Sequence, residues 1–361
     1  MNRALASAAL SALAIAALAF AAAAPAQARD QINIVGSSTV YPFTSYVAEE
    51  FGKTTRHPTP KVEQTGSGSG HKLFGKGTGP ATPDLVNSSR RMKVSEFDNA
   101  TSAGITGMTE AVIGYDGIAI AESVENPGFN ITKLQLHLAI AAKVPGPDGT
   151  LIENPYKKWS DIDASLPDRP IVIYGPPTTS GTRDAFEELI LEKVSETLPE
   201  YDGEAFTDVR QDGAYVDAGE NDNLIINRVT TNTQAIGIFG YGFLDENRDK
   251  VRASSIDGVP ATPETISSGE YPVSRSLYFY IKHDHIGVTP GLYDFVQLFM
   301  SEKMIGPAGQ LKNIGLIPLP EDLRLASRQR VLDLVPLELV DGKLPSLQDY
   351  LDANGPVAAA Q

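Results

Sequence analysis

The chain has no cysteine, one tryptophan and five histidines, and its 30 Lys and Arg are outnumbered by 45 Asp and Glu. Without cysteine there is no disulfide staple, no thiolate metal ligand, no thiol nucleophile and no lipid-bearing N-terminal cysteine. A formal net charge of −15 argues against a nucleic-acid partner, whose phosphates the summed field would repel. Any anion held by this chain must be gripped at short range by local dipoles and a few placed cations. Long apolar runs are also scarce. The one candidate, Ala4 to Ala24, follows Arg3 and precedes Ala26-Gln27-Ala28, the small-x-small form of a signal-peptidase site. Residues 1–28 therefore read as a signal peptide. A cysteine-free exported chain with no other span points to the periplasm and to a protein without a membrane anchor.

What is present is enough apolar sequence, 42% of 361 residues, to bury one large core or two medium ones. Short β-rich runs at Ile32–Val35, Lys61–Thr65 and Pro83–Val86 alternate with helical patterns over Pro42–Gly52 and from Val94. The habit repeats with a strand at Ile171–Tyr174, an amphipathic helix over Ser180–Lys193 and strands at Ile236–Phe239 and Ser276–Lys282. Helices follow from Pro290 to Ser301 and from Glu321 to Leu334. Such alternation predicts an α/β protein with strands buried between helices, and two α/β lobes are the economical reading. The Pro- and Gly-rich stretch from Gly75 to Pro83 reads as a surface excursion, and the tail after Pro336 as weakly ordered.

Polar turns at the ends of these strands share one chemistry. Gly36-Ser37-Ser38-Thr39 follows the first strand and opens a helix, Gly66-Ser67-Gly68-Ser69-Gly70 follows the next, and Thr178-Thr179-Ser180-Gly181-Thr182-Arg183 leads into another helix. Each sets hydroxyls and unpaired N–H groups at a strand's carboxyl end and a helix's positive end, where anions are favoured. A fourth segment, Asn87-Ser88-Ser89-Arg90-Arg91, adds fixed positive charge. Arg90 and Arg183 are suited to bidentate, charge-assisted bonds to an oxyanion. Any one such turn is more simply an N-cap beside surface ion pairs; four in one two-lobed chain favour a ligand.

Taken together, Gly36-Ser37-Ser38-Thr39-Val40-Tyr41-Pro42, the Gly-Ser run at 66–70, Ser88-Ser89-Arg90 and Ser180-Gly181-Thr182-Arg183-Asp184-Ala185-Phe186 resemble the PstS family, the phosphate-binding proteins of ABC uptake transporters. The likeness runs in family order from Ile32 to Pro318 and includes Ala235-Ile236-Gly237-Ile238 and Tyr271-Pro272-Val273-Ser274-Arg275. It implies a type II periplasmic binding fold, two α/β lobes joined by a hinge that close on one dehydrated phosphate. Lobe I would comprise residues 29–115 and 276–361, and lobe II residues 116–275, with crossings near Tyr115-Asp116-Gly117 and Tyr271-Pro272. Carried over residue by residue, the first-lobe contacts would be Ser38, Thr39, Ser67 and Ser89 beside Arg90; the second lobe would add Ser180, Gly181 and Thr182.

Two departures from the family pattern matter. Many members carry an arginine where this chain has Pro176, which leaves Arg183 or Arg90 to supply the charge. Some members carry an aspartate, the acceptor for the proton of phosphate, where this chain has Ser89. Asp212, in a Gly-flanked loop, is the candidate replacement, although an Asx-turn role is the commoner one for such a residue. The implied partners are inorganic phosphate and a membrane-bound ABC permease, with a monomeric receptor and neither cofactor nor metal. A receptor for sulfate or another tetrahedral oxyanion is the alternative.

Other signals are discounted. Gly70 to Lys76 nearly forms a P-loop, but Gly77 replaces the magnesium-binding hydroxyl. His283-Asp284-His285 reads as a turn rather than a metal fragment. A secreted phosphatase lacks support, because there is no Gly-x-Ser-x-Gly elbow and no base assignable to Ser38 or Ser180. His71 reads as a solvent-exposed residue at a helix start. The glycosylation match at Asn87-Ser88-Ser89 has no supporting secretory context.

Overall fold

The computed structural model describes residues 30–355 except positions 179 and 220, so the expected signal peptide lies outside the described residues. Three short strands, β1 (Asn33–Gly36), β2 (Lys61–Gln64) and β3 (Leu85–Ser88), run parallel in the order β2-β1-β3. Next in chain order come β4 (Met108–Ser123), a small hairpin of β5 (Lys143–Pro145) and β6 (Leu151–Glu153), then β7 (Ile173–Gly175), β8 (Tyr215–Asp217), β9 (Ile236–Gly240), β10 (Val251–Ala253) and β11 (Ser274–Lys282). The large sheet reads β2-β1-β3-β11-β4-β9-β7-β8, with β10 on β4. It contains two parallel triplets, β2-β1-β3 and β9-β7-β8, separated by the long antiparallel strands β11 and β4.

Strand β4 links the halves. All sixteen of its residues are buried except Asp116, which is half-buried, as expected of a near-continuous apolar run covered on both faces. It pairs with β11 up to Gly117 and with β9 from Ile118 onward. At the changeover a Cβ on Gly114 would stand 2.6 Å from the Ile317 carbonyl oxygen. Only glycine tolerates that approach, and the β4–β11 register shifts opposite it, between Leu277 and Tyr278. Ile34, Phe51, Phe279, Phe295 and Phe299 anchor one core; Ile118, Trp159, Phe186, Ile225 and Ile238 anchor the other.

The expectation of weak order after Pro336 is overturned through Asn354. Residues Leu347–Asn354 form a helix that buries Leu347 and Leu351, four apart on one face, and is closed by a Ser346–Asp349 capping box. Arg91 ties this segment down by donating to the carbonyl oxygens of Leu344, at 2.7 Å, and Pro345. The Gly-rich turn is also more regular than expected: Gly66 takes a positive φ of 75° and Ser67–Phe74 is helical. A Cβ on Gly70 would meet Gly36 Cα at 2.7 Å, so both glycines let that helix abut β1.

Candidate functional site

The turn after β1 leads into the helix Tyr41–Thr54, and the turn after β7 into a helical stretch over 181–195. These two starts face each other across the halves. Thr39 Oγ1 donates to the Gly181 carbonyl at 2.9 Å, and the Ser38 hydroxyl donates to the Asp184 carboxylate. A Cβ on Gly181 would lie 2.6 Å from Thr39 Cα, so glycine is required for the approach. Ser38, Thr39, Asp116, Ser180, Gly181 and Thr182 line a cavity of about 500 Å³ between them. Ser180 caps its helix by accepting from the Thr182 N–H at 3.2 Å. Among the described residues, the backbone N–H groups of Ser38 and Thr39 meet no acceptor.

Of the residues singled out from sequence, Ser38, Thr39, Ser180, Gly181 and Thr182 are thus brought together. Ser67, Ser89 and Arg90 form a neighbouring group in the first half rather than part of that cavity wall. Ser67 Oγ accepts from the Ser89 N–H at 3.1 Å, and the two hydroxyls are 3.1 Å apart. Arg90 grips Glu96 with both terminal nitrogens, at 2.9 and 2.7 Å, and this bond is the main reason its pKa is raised. Arg183 is placed differently again. Its guanidinium is buried, bonds to Glu187 and the Pro176 carbonyl, lies 3.4 Å from Asp217 and stacks on Tyr215 at 4.5 Å.

Two expectations are corrected. Asp212 is no part of this cavity: it accepts from Arg210 at 2.8 and 2.5 Å and from Lys157 at 2.7 Å, and lines a separate hollow with Glu153 and Asn154. The Arg210 bonds hold its carboxyl far below the usual carboxylate range. It also accepts from the Ala214 N–H at 3.3 Å, the Asx-turn role. His71 is not solvent-exposed but 3% exposed, with Nε2 3.1 Å from Ser88 Oγ, and burial lowers its pKa to about 4. His283-Asp284-His285 is a 3₁₀ turn, as expected.

Two site residues escaped the sequence reading. Arg275, at the start of β11, donates to Thr39 Oγ1 at 2.7 Å and to Glu188 at 2.5 Å. Its Nε lies 3.8 Å from Asp116 Oδ2 on the adjoining β4. Neither of those two atoms has a hydrogen-bond partner, though both are buried. Burial pushes the Asp116 carboxyl up, opposed by the Arg275 charge. The available signal was positional: Asp116 lies in a segment marked as a chain crossing and is the sole acid in the apolar stretch Ala111–Ala121, and Arg275 closes the family motif Tyr271–Arg275, three residues past the other crossing.

A PBP superfamily domain model matches residues 21–303, and the chain belongs to that superfamily. Its two-lobed α/β architecture is the binding-protein fold that the resemblance implied. Protein SphX of Synechococcus elongatus is 29% identical over 89% of this chain and 88% of its own length. The phosphate-binding protein PstS of Staphylococcus saprophyticus is 26% identical over 83% and 84%. Among solved structures, a possible phosphate binding protein from Planctomyces limnophilus is 28% identical, covers 84% of this chain and 98% of its own, and superposes with a TM-score of 0.70. An ABC-type phosphate transport receptor from Vibrio cholerae, 23% identical with a TM-score of 0.54, shares the fold.

Proposed function

We propose that this protein is a periplasmic receptor that captures inorganic phosphate between its lobes and delivers it to a membrane-bound ABC permease, as a monomer, without cofactor and without turnover. The observation that carries this reading is the pair of unpartnered atoms at the crossing strands, Arg275 Nε as donor and Asp116 Oδ2 as acceptor, 3.8 Å apart beside the cavity. A partly protonated oxyanion suits both: an ionised oxygen accepts from the guanidinium and its O–H donates to the carboxylate. A fully ionised sulfate would leave the buried acceptor unpaired, at a cost of about 1–3 kcal/mol. Asp116 thereby takes the part first sought in Asp212.

The remaining donors come from both sides, with Ser38 and Thr39 from lobe I and Ser180, Gly181 and Thr182 from lobe II. An anion that satisfies both sets favours the closed arrangement by its differential affinity for it. In this reading the lobes divide at β4 and β11, with the described residues up to 115 and from 276 on one side and those of 116–275 on the other. Neither Ser38 nor Ser180 has an imidazole partner among the described residues, which supports a receptor over a phosphatase. Among the described residues no helix is long and apolar enough to cross a membrane. The test is calorimetric titration of the chain from Arg29 onward, refolded free of anion. Saturable one-to-one heat with phosphate and none with sulfate is expected; no heat with phosphate overturns the reading.

A further inference from the structure

The helical stretch that opens at Gly181 presents two carboxylates, Asp184 and Glu188, four residues apart and so on one face. Asp184 reaches across to lobe I and Glu188 to the crossing strand β11. Asp184 accepts from the Ser38 hydroxyl, and Glu188 accepts from Arg275 Nη1 at 2.5 Å. Glu188 also lies close enough to Arg90 for its charge to stabilise that guanidinium. A second-lobe carboxylate is therefore set toward Arg275 at the chain crossing and toward Arg90 of lobe I. The stretch itself slackens from α into π turns over Glu187–Glu192, an irregularity frequent at functional sites.

A carboxylate is an oxyanion and asks of a guanidinium and a hydroxyl what phosphate asks. We infer that Glu188, assisted by Asp184, is a built-in competitor of the bound anion, occupying the Arg275 donor of the crossing strand and the Ser38 donor of lobe I that would otherwise meet phosphate, and so setting the receptor's affinity. The inference rests on the phosphate reading for its ligand, but the bridge between lobes can be tested apart from it. Other groups face Arg275 as well: Asp116 at 3.8 Å and the Thr39 hydroxyl at 2.7 Å. Asp116 lies beside Arg275 within the paired crossing strands, whereas Glu188 arrives from the helical stretch of lobe II and must yield its bond for an anion to take it.

The experiment compares wild type, Glu188→Gln and Asp184→Asn, each refolded without anion. Asp184 is exposed, so its variant keeps the test open should the other fail to fold. Phosphate titration should show binding tightened at least fivefold in Glu188→Gln and by a smaller factor in Asp184→Asn. Unchanged or weaker binding in both overturns the inference and makes the carboxylates structural partners of the site. In parallel, small-angle X-ray scattering without anion should give a larger radius of gyration in Asp184→Asn, which loses the Ser38 bond between lobes, than in wild type. If wild type binds no phosphate, the functional reading falls while this radius still decides the bridge: an increase supports it and an unchanged value overturns it.

Discussion

Arg183 and Arg275 flank the same cleft, one on a helix and one on a strand, and their guanidiniums end in different surroundings. Arg183 belongs to the most recognisable motif of the chain, yet it occupies the inward face of its helix with Ala185 and Phe186 and is taken up by Glu187, Asp217 and the Tyr215 ring. Arg275 sits at the mouth of β11, where the chain passes between lobes, and touches groups of both: Thr39 on one side and Glu188 on the other. A polar turn with an adjacent arginine thus announces a site without saying which way the charge points. Helical periodicity turns the motif's arginine into the core, and strand pairing at the crossing turns one given no role toward the cleft.

The largest way to break this contrast is to exchange the two truncations. Arg275→Ala should weaken phosphate binding about 100-fold, the scale of losing a partner in a desolvated charge-assisted contact, roughly 3 kcal/mol. Arg183→Ala should leave affinity within a few-fold while lowering stability by about 2 kcal/mol, because Glu187 loses its partner. Titration calorimetry and urea denaturation separate the two; a large affinity loss in Arg183→Ala would reverse the assignment. Next in size is Gly181→Ala. The new methyl meets the Ser38 and Thr39 backbone, so closure is obstructed and affinity should fall about tenfold, in line with the 1–3 kcal/mol of overpacking.

Inward-turned groups make a subtler prediction. His71 and His137 are buried with pKa lowered to about 4 from 6.5, burial being the main cause in both. Their folded-state pKa is depressed, so the unfolded chain binds their protons first as pH falls. Stability is therefore fully held above about pH 6.5 and declines progressively toward pH 4. Thermal unfolding followed across that window should show the decline, and His71→Gln should make it shallower. The smallest effect is expected at Asp212. With a partly exposed carboxylate bound to Arg210 and Lys157, Asp212→Asn should change stability by about 1 kcal/mol or less and leave the phosphate isotherm unaltered.

Much of the architecture was legible because burial leaves a periodic trace. The predicted helix at 42–52 is observed as Tyr41–Thr54, and the predicted strand Ile236–Phe239 as Ile236–Gly240. Strand β4 was not anticipated as one long strand: its apolar run is interrupted by Gly114, Asp116 and Gly117, for which Arg275 and the close approach of Ile317 account. The helix Leu347–Asn354 was missed because its pattern is two leucines among polar residues and becomes meaningful only against the helix Glu321–Leu332 and with Arg91 holding the chain before it. At the site, hydroxyls and glycines were readable from turn chemistry. Charges were not, since which carboxylate an arginine meets depends on long-range pairing across more than 80 positions for Arg275 and Glu188.

The central claim is that the unpartnered Arg275–Asp116 pair recognises an oxyanion by its proton. The most direct measurement is competitive titration of phosphate against sulfate at pH 7 in wild type and in Asp116→Asn, whose amide can donate to a fully ionised anion. The account predicts that wild type ignores sulfate and that the variant binds the two anions comparably. A variant that keeps the full preference for phosphate would contradict it.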